Sequence, residues 1–194
     1  MTRTNETELQ KYKWLSENSK KYGKTCHGSD IMPLIDQLKY NDSVLDVGTG
    51  NGQQCLNYKK VFKTVYGVDW VNWSSNDITP TVLTKSNIVF FNCHANNIPL
   101  SDKSVEIVTS FDFLEHLIPG EVEKVLSEAT RIGKHVMIHS IGHKPSVHKR
   151  RSLQNKFGDG ELHPTIRPQK WWAEKLQNYS SYVYKVNQYY FCIL

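Results

Sequence analysis

The chain has 194 residues, a formal net charge of +5 and four scattered cysteines without a CxxC pair. This length is enough for one domain with its own core, and the cysteine spacing excludes a disulfide framework. The N-terminal stretch is polar, unlike a secretory signal, and no apolar run is long enough to span a bilayer. We therefore expect a soluble, cytoplasmic protein with no membrane partner. Its mildly positive net charge permits an anionic ligand.

Short apolar runs alternate along the chain with segments of helical periodicity. Helices are predicted over residues 5–21, 29–40, 52–60, 77–84, 121–133 and 171–179. Strands are predicted over 43–47, 64–69, 87–92, 105–111 and 135–140, and then as an antiparallel pair, 181–186 and 187–194. Residues 141–170 are rich in Gly, Pro, His, Lys and Arg and are predicted to form a long loop. The alternation predicts an α/β fold with a parallel sheet covered on both faces.

The most informative stretch is VLDVGTGNGQ, residues 44–53. Asp46 closes the first predicted strand, and glycine follows at every second position, as Gly48, Gly50 and Gly52. Glycine loses much conformational entropy on folding and adds no packing, so this spacing indicates a sharp turn or a close approach of the backbone to a ligand. A turn between strand and helix lies at the carboxyl edge of a parallel sheet, where α/β proteins bind ligands. The dinucleotide fingerprint G-x-G-x-x-G is not matched.

A second candidate site segment is TVYGVDW, residues 64–70, which ends the second predicted strand. Asp69 stands at the tip of this strand, about 20 residues after the first motif, where an acid is suited to accept both hydroxyls of a ribose. Trp70 follows directly and is placed to lie against the face of an adenine ring. These two segments together predict a nucleoside-binding edge.

Together with a third segment, HANNIPLSDKSVEIVTSFDFLEHL (94–117), these motifs resemble class I S-adenosylmethionine (SAM) methyltransferases. The closest similarity is to the branch called methyltransferase type 11. The first motif resembles the family pattern h-h-D-h-G-x-G-x-G. The third resembles the stretch D-A-x-x-L-P-F-x-D-x-S-F-D-x-V-x-s-x-x-x-L-E-H-L at Ala95, Pro99, Asp102, Ser104, Val108, Leu114, Glu115 and His116. The chain departs from it at His94, where the family has an Asp that holds the adenine amino group, and at Val105-Glu106, where the family has Phe-Asp.

The resemblance implies a Rossmann-like class I methyltransferase fold, a mostly parallel seven-stranded sheet with a C-terminal antiparallel hairpin, in a single domain, 1–194. Its parts are then N-terminal helices (1–41), a SAM-binding core (42–140), a basic loop or lid (141–170) and a C-terminal helix with the hairpin (171–194). SAM is the implied cofactor. The residues expected to bind it are Asp46, Gly48, Thr49, Gly50, Gly52, Asp69, Trp70, His94, Ala95 and Phe111.

The methyl acceptor is expected beyond the ends of the fourth and fifth strands. A methyltransferase holds its nucleophile in line with the methyl group and, where needed, removes a proton. Histidine suits that task because its ordinary pKa is near neutrality. The catalytic candidates are Asp112, His139, His143 and His163, whereas His116 is interpreted as mainly structural. The histidine spacings lack the helical repeat and paired carboxylate of zinc motifs, so no metal site is predicted.

The sequence narrows the class of acceptor by elimination. The tetrad Asp112-Phe113-Leu114-Glu115 stands where enzymes that methylate DNA amino groups have N/D-P-P-Y/F/W, and no proline precedes a cysteine as in cytosine C5 enzymes. We therefore expect methyl transfer to oxygen or nitrogen of a small-molecule, sugar or nucleotide acceptor, which the basic segment allows to be anionic. Two alternatives stay open: a nucleic-acid-modifying enzyme whose basic segment grips phosphates, and a SAM-binding partner protein without catalysis. The sequence does not indicate an oligomeric state.

Overall fold

A seven-stranded sheet forms the centre of the molecule, of which the computed structural model describes residues 3–19, 26, 28–71, 88–149, 151–158 and 160–194. The spatial order is β3-β2-β1-β4-β5-β7-β6, with β1 to β5 parallel and the last two strands antiparallel. The predicted fold is confirmed. The strands are β1 (Ser43–Val47), β2 (Thr64–Asp69), β3 (Ile88–Asn92), β4 (Val105–Phe111), β5 (Gly133–Ser140), β6 (Tyr182–Val186) and β7 (Tyr189–Ile193).

Helices cover both faces of this sheet. The predicted second helix begins as a 3-10 turn and ends early, before Lys39, whose φ is positive. The predicted helix at 77–84 lies outside the described residues. In the described part of the chain, no helix is both long and apolar enough to cross a bilayer. The helices are α1 (Asn5–Asn18), α2 (Met32–Gln37), α3 (Gln53–Tyr58), α4 (Pro119–Ile132), α5 (Arg151–Phe157) and α6 (Gln169–Gln177), with 3-10 turns at Ser29–Ile31 and Leu114–His116.

Strand β1 is buried along its whole length because apolar layers cover both of its faces. Val44 belongs to the cluster formed with α2 and α3, whereas Leu45 and Val47 belong to the cluster formed with α4 and α6. Successive side chains of a strand point to opposite faces, so a strand covered twice needs a continuous apolar run. The single polar residue of that run after Ser43 is Asp46, and it is buried too.

The chain changes direction across the sheet between β1 and β4, and this change creates the crevice of the molecule. From β1 it proceeds outward to β2 and β3, and then returns to β4 on the other side of β1. The two strands are in register, with Asp46 opposite Thr109. The connections that leave their carboxyl ends therefore diverge, and in open α/β sheets ligands bind at this point.

The prediction that residues 141–170 form a loop throughout is wrong. The segment contains α5 and an antiparallel bridge between Val147 and Glu161. Leu153 of α5 is fully buried in a small apolar cluster with Leu15 of α1 and Val71, the second residue after β2. The sequence obscured this helix because its buried leucine stands among polar and charged residues. The basic segment is thus fastened to α1 at the carboxyl edge of the sheet.

We expect Leu153→Ala to loosen this attachment without unfolding the sheet. The substitution removes buried contacts between α5 and α1, so amide hydrogen exchange should accelerate in residues 146–162 while β1 and β4 keep their protection. Leu126→Ala in α4 is the matched control, because Leu126 is equally buried in the main core. That variant should lower the global free energy of unfolding by about 2–5 kcal/mol. Equal acceleration throughout the sheet in Leu153→Ala would contradict a local role.

Candidate active site

The glycine loop after β1 has the backbone conformation that its sequence predicts. Gly48, Gly50 and Gly52 have φ values of +73°, +57° and +77°, the left-handed region that residues with a side chain rarely adopt. Gly48 has a second reason to be glycine. A Cβ atom there would lie 2.2 Å from Cδ2 of Phe113, in the loop after β4. Alternate glycines therefore let the loop turn sharply and let the β4 loop approach its backbone.

Asp69, at the end of β2, holds the glycine loop in place. Its Oδ2 accepts the Gly50 amide hydrogen at 2.9 Å, and its Oδ1 accepts the amide hydrogen of Val71 at 2.9 Å. A carboxylate has about four acceptor positions, more than these two amide groups occupy. The same side chain can thus fix the loop and bind a ribose.

Asp46 is a buried carboxylic acid at the end of β1. Only 4% of it is exposed, and its Oδ1 accepts the Thr109 hydroxyl hydrogen at 2.9 Å. The pKa of Asp46 is raised to about 6, chiefly by burial and to a smaller extent by the charge of Asp69, although hydrogen bonds from Thr49 and Thr109 oppose the rise. A positively charged ligand group beside Asp46 would compensate for the desolvated charge, as the ammonium group of a bound amino acid would.

These residues line a cleft of about 570 Å³ at the carboxyl edge of the sheet. Its wall combines the loops that follow β1, β2 and β4 with α1 and the basic segment. Most of the predicted site residues contribute to this wall: Asp46, Gly48, Thr49, Gly50, Asp69, Trp70, Phe111, Asp112 and His163. Unpredicted contributions come from Tyr12, Cys26, Gln54, Glu115, His116 and Gly142.

Three residues expected to bind the cofactor do not line the cleft that the described residues form. Gly52 caps the N-terminus of α3 instead, since its left-handed φ ends the turn. His94 is half-buried, and its imidazole ring makes an edge-to-face contact with the indole ring of Trp70, with 4.7 Å between the ring centroids. Ala95 packs against the main core. His94 therefore contacts the cleft wall through Trp70.

His139 and His143, both predicted to be catalytic, are likewise outside the cleft formed by the described residues. His139 lies on β5, where its Nδ1 hydrogen-bonds the Ser110 hydroxyl at 2.7 Å, and burial lowers its pKa to about 4. His143 Nδ1 lies 3.3 Å from the carbonyl oxygen of Arg167, and its ring contacts Tyr190. Burial also lowers the His143 pKa. Neither ring lines the cleft that the described residues form, and a catalytic role for these two histidines stays a prediction.

The end of β4 supplies the wall opposite the glycine loop. Asp112 has a φ of +47°, an uncommon conformation for a residue with a side chain, and it accepts a hydrogen bond from the Ser140 hydroxyl at 3.4 Å. Such backbone conformations are concentrated at functional sites. The following 3-10 turn then brings Glu115 and His116 to the same wall. His116 therefore lines the cleft wall together with Glu115.

His163 meets Glu115 and His116 although it is far from them in sequence. The two imidazole ring centroids are 4.6 Å apart at an interplanar angle of 88°. The amide hydrogen of His163 is accepted by Glu161 Oε1 at 2.8 Å, and the amide of Thr165 donates to the carbonyl of Glu115 at 3.2 Å. The adjacent Glu115 and His116 in LEHL were the sequence signal for this cluster. The spacing along the chain gave no indication that His163 would lie beside them.

The cleft fits the cofactor that the sequence motifs imply. Gly48, Thr49 and Gly50 all line the cleft, so the main chain of the glycine loop is within reach of a bound ligand. Asp46 and Asp69 place two carboxyl groups on one wall, and SAM carries an ammonium group, a sulfonium and a ribose diol. The donor and acceptor groups present thus match the charges and hydroxyls of this cofactor.

Comparison with known proteins agrees with this assignment. Residues 45–136 match the family model described as Methyltransferase domain. No curated protein sequence matches the chain. Many solved structures are similar, and three of them, at 12–14% identity, show the shared fold.

The first is 1,6-didemethyltoxoflavin-N1-methyltransferase from Burkholderia thailandensis, solved with 1,6-didemethyltoxoflavin and S-adenosylhomocysteine. It has 12% sequence identity and a TM-score of 0.69, and the match covers 100% of this chain and 89% of that one. The second is magnesium protoporphyrin IX methyltransferase from Synechocystis, solved with S-adenosylhomocysteine. It has 12% sequence identity and a TM-score of 0.59, and the match covers 100% of this chain and 88% of that one. The third is a Haloferax volcanii methyltransferase in complex with the activator Trm112. It has 14% sequence identity and a TM-score of 0.62, and the match covers 95% of this chain and 80% of that one. Residues 45–136, a little under half of the chain, therefore match the methyltransferase family, and the chain has the fold of the three methyltransferases above.

We expect Gly48→Ala to weaken SAM binding at least about tenfold, because a non-glycine residue in the left-handed region costs about 1–2 kcal/mol and the added methyl group collides with Phe113. Isothermal titration with SAM measures the effect. Gly120→Ala is the matched control: nothing lies within 4 Å of a Cβ atom there, and the residue is in the first turn of α4. Unchanged affinity in Gly48→Ala would contradict the assignment of the loop.

Asp46→Asn should stabilise the unliganded protein at neutral pH while it weakens SAM binding. The pKa of Asp46 is raised in the fold from its ordinary 3.8 to about 6, so ionisation costs the native state stability as pH rises through this interval. At 1.36 kcal/mol per pKa unit, the cost reaches about 3 kcal/mol above pH 6. The difference in unfolding free energy between the variant and the wild type should therefore grow in favour of the variant from pH 4 to 7 in urea titrations. A difference independent of pH would contradict the buried-acid account.

Proposed function

We propose that this enzyme transfers a methyl group from SAM to an oxygen or nitrogen atom of a small-molecule, sugar or nucleotide acceptor. One observation carries the proposal: the glycine loop and a cluster of polar, proton-accepting side chains line the same cleft. When bound, SAM supplies a methyl group on a sulfonium sulfur that is already electrophilic. The protein then has to bind the cofactor, align the acceptor and provide for its proton.

The cofactor side of the cleft is assigned to the residues around the switch between β1 and β4. Asp46 would neutralise the ammonium group, the backbone of the glycine loop would lie under the amino-acid part, and Asp69 would bind the ribose hydroxyls. Trp70 lines the same wall and offers an aromatic face to the adenine ring. Phe111 closes the floor, since it packs edge-on against Tyr189 with 5.5 Å between ring centroids.

The size of the cleft supports a small acceptor. Its volume, about 570 Å³, lies within the range of roughly 300–1,000 Å³ that is usual for small-molecule sites, and the cofactor must share it. Two of the structurally similar enzymes are named for small acceptors, 1,6-didemethyltoxoflavin and magnesium protoporphyrin IX. The acceptor of this chain belongs, by this argument, to the same size class.

The acceptor side is assigned to Asp112 and to the cluster of Glu115, His116 and His163. His163 Nδ1 lies 2.7 Å from the carbonyl oxygen of Lys144, which can only accept a hydrogen, so Nδ1 carries the proton and the lone pair is on Nε2. A nucleophilic hydroxyl or amine brought to this wall meets groups that accept hydrogen bonds. We therefore propose that these side chains contact the reacting group of the acceptor.

The charge around the cleft favours an anionic acceptor. Lys144, Lys149, Arg151 and Lys156 are exposed on the segment that also supplies His163 to the cleft wall. The same cations support nucleic acid as the second candidate, for which affinity would fall steeply with added salt. The four cysteines are free thiols, and we propose a cytoplasmic location on that basis.

The experiment that tests this function is a screen of small hydroxyl and amine compounds, with S-adenosylhomocysteine and methylated product measured by mass spectrometry. With the acceptor in hand, His163→Ala should lower kcat about 100-fold while the Kd for SAM changes by less than about threefold. His143→Ala should leave kcat within about threefold, because its ring is directed at Tyr190. Tight SAM binding without turnover of any acceptor, or equal losses in both variants, would contradict the proposal.

A further inference from the structure

The cluster formed by Glu115, His116 and His163 has the composition of a metal site. One atom of each side chain, a carboxylate oxygen or an imidazole nitrogen, lies within 4.8 Å of the corresponding atoms of the other two. Among the residues that the structure describes, these three form the one group of metal-ligand type that comes this close. Two of the ligands are neighbours in the turn after β4, and the third comes from the segment between α5 and α6. Sequence spacing alone gave no sign of this arrangement.

Each imidazole ring of the cluster has its Nδ1 atom beside a backbone carbonyl oxygen. Nδ1 of His116 lies 2.9 Å from the carbonyl oxygen of Leu162, and Nδ1 of His163 lies 2.7 Å from that of Lys144. A carbonyl oxygen only accepts, so Nδ1 of His163 carries the hydrogen and its Nε2 carries the lone pair. Histidines that bind metals commonly donate their second ring hydrogen to a backbone carbonyl, which fixes the tautomer and the ring orientation. His163 has this support, and Nδ1 of His116 has both a carbonyl and the Tyr12 hydroxyl beside it.

The carboxylate of Glu115 is held in a comparable way. It is 99% buried, and its Oε1 accepts the amide hydrogen of Gly142 at 2.6 Å. A Cβ atom on Gly142 would lie 2.6 Å from that oxygen and 3.0 Å from Cε1 of His163. Glycine at this position therefore allows the glutamate and the histidine to share one small space. Buried carboxylates are found paired with cations or coordinated to metals.

Further contacts fix the positions of the two histidines. Tyr12 of α1 donates its hydroxyl hydrogen to the carbonyl of Leu162 at 2.9 Å, and its oxygen lies 2.8 Å from Nδ1 of His116. Glu161 accepts the amide hydrogens of Ser146 and His163, both at 2.8 Å, which closes the turn from which His163 extends. Metal sites need such a second layer of hydrogen bonds around their ligands.

We propose that Glu115, His116 and His163 bind a divalent transition-metal ion at the acceptor side of the cleft, with zinc as the ion that suits them best. Two nitrogens and one oxygen suit zinc, cobalt or iron(II), whereas magnesium and calcium prefer oxygen ligands alone. Zinc holds its ligands at about 2.1 Å, so shifts of about 1 Å per side chain would close the cluster around one ion. Three protein ligands facing an open cleft leave a coordination position for another molecule, as in catalytic zinc sites.

The role of the ion rests on the proposed function. An acceptor hydroxyl that binds at the open position would lose its proton to solvent more readily, because the positive charge stabilises the resulting oxyanion. That oxygen's electron pair then forms the bond to the methyl carbon while the carbon–sulfur bond breaks and its electrons remain on sulfur. The products are the methyl ether, S-adenosylhomocysteine and the released proton. The site itself is inferred from geometry and does not depend on this step.

The experiment uses the tag-free full chain, treated with a chelator and then titrated with Co²⁺, a spectroscopic substitute for zinc. We expect one equivalent to bind with visible d–d absorption bands and to be displaced by Zn²⁺, as measured by absorption and elemental analysis. Glu115→Gln, in which the amide oxygen can still accept the Gly142 hydrogen, and His163→Gln should each weaken Co²⁺ binding at least about tenfold. Thermal unfolding of the metal-free proteins is the control for folding, and both variants should unfold cooperatively as the wild type does.

His135→Gln is the matched control, because His135 is exposed on β5 and stacks on Tyr40 at 4.5 Å between centroids. It should bind Co²⁺ as the wild type does. Wild-type binding that is substoichiometric, or equally tight binding by His163→Gln, overturns the metal site. Full methyl transfer by chelator-treated enzyme overturns the ion's role and leaves the proposed function intact. Stoichiometric binding of Co²⁺ without methyl transfer to any acceptor supports the site and overturns the proposed function.

Discussion

The hydrogen bond from the Gly50 amide to the Asp69 carboxylate connects the two strand ends that define this molecule. It spans from the loop after β1 to the tip of β2, at the side of β1 that faces away from β4. The loop can reach this position because its alternate glycines adopt left-handed conformations. The opening between β1 and β4 is consequently lined on one side by the glycine loop and the carboxylates of Asp46 and Asp69, with aromatic side chains such as Trp70 and Phe111 beside them. The remaining elements of the cleft, α1 and the basic segment, are arranged around that opening.

The site includes features that reduce the stability of the fold, as functional sites often do. Asp46 is buried in the central strand beside a second carboxylate, so its ionised form is unfavourable until a cation joins it. Asp112 has a left-handed backbone conformation without being glycine. Both residues lie at the carboxyl ends of neighbouring strands. Apolar layers on the two faces of the sheet compensate for these costs. The polar groups of the site are confined to the carboxyl edge of the sheet.

Local sequence predicted the sheet well, because each of its strands is specified by its own apolar run. β1, β2 and β4 begin and end at the predicted residues, and the glycine loop has the conformation that its spacing indicated. The approach of His163 to His116 could not be predicted, because it depends on a bridge between Val147 and Glu161 and on α5, a short helix with one buried leucine. His139 and His143 lie outside the cleft wall of the described residues, since proximity to a strand end does not determine where a side chain points.

We expect SAM to occupy the edge of the sheet between β1 and β4. A crystal structure of the protein with S-adenosylhomocysteine tests it most directly. We expect electron density for the ligand above the glycine loop, with the ribose hydroxyls bound to Asp69, the amino group within hydrogen-bond distance of Asp46, and the sulfur directed toward Asp112 and His163. Density for the ligand elsewhere on the protein, with the glycine loop and Asp69 unchanged and uncontacted, would contradict the account.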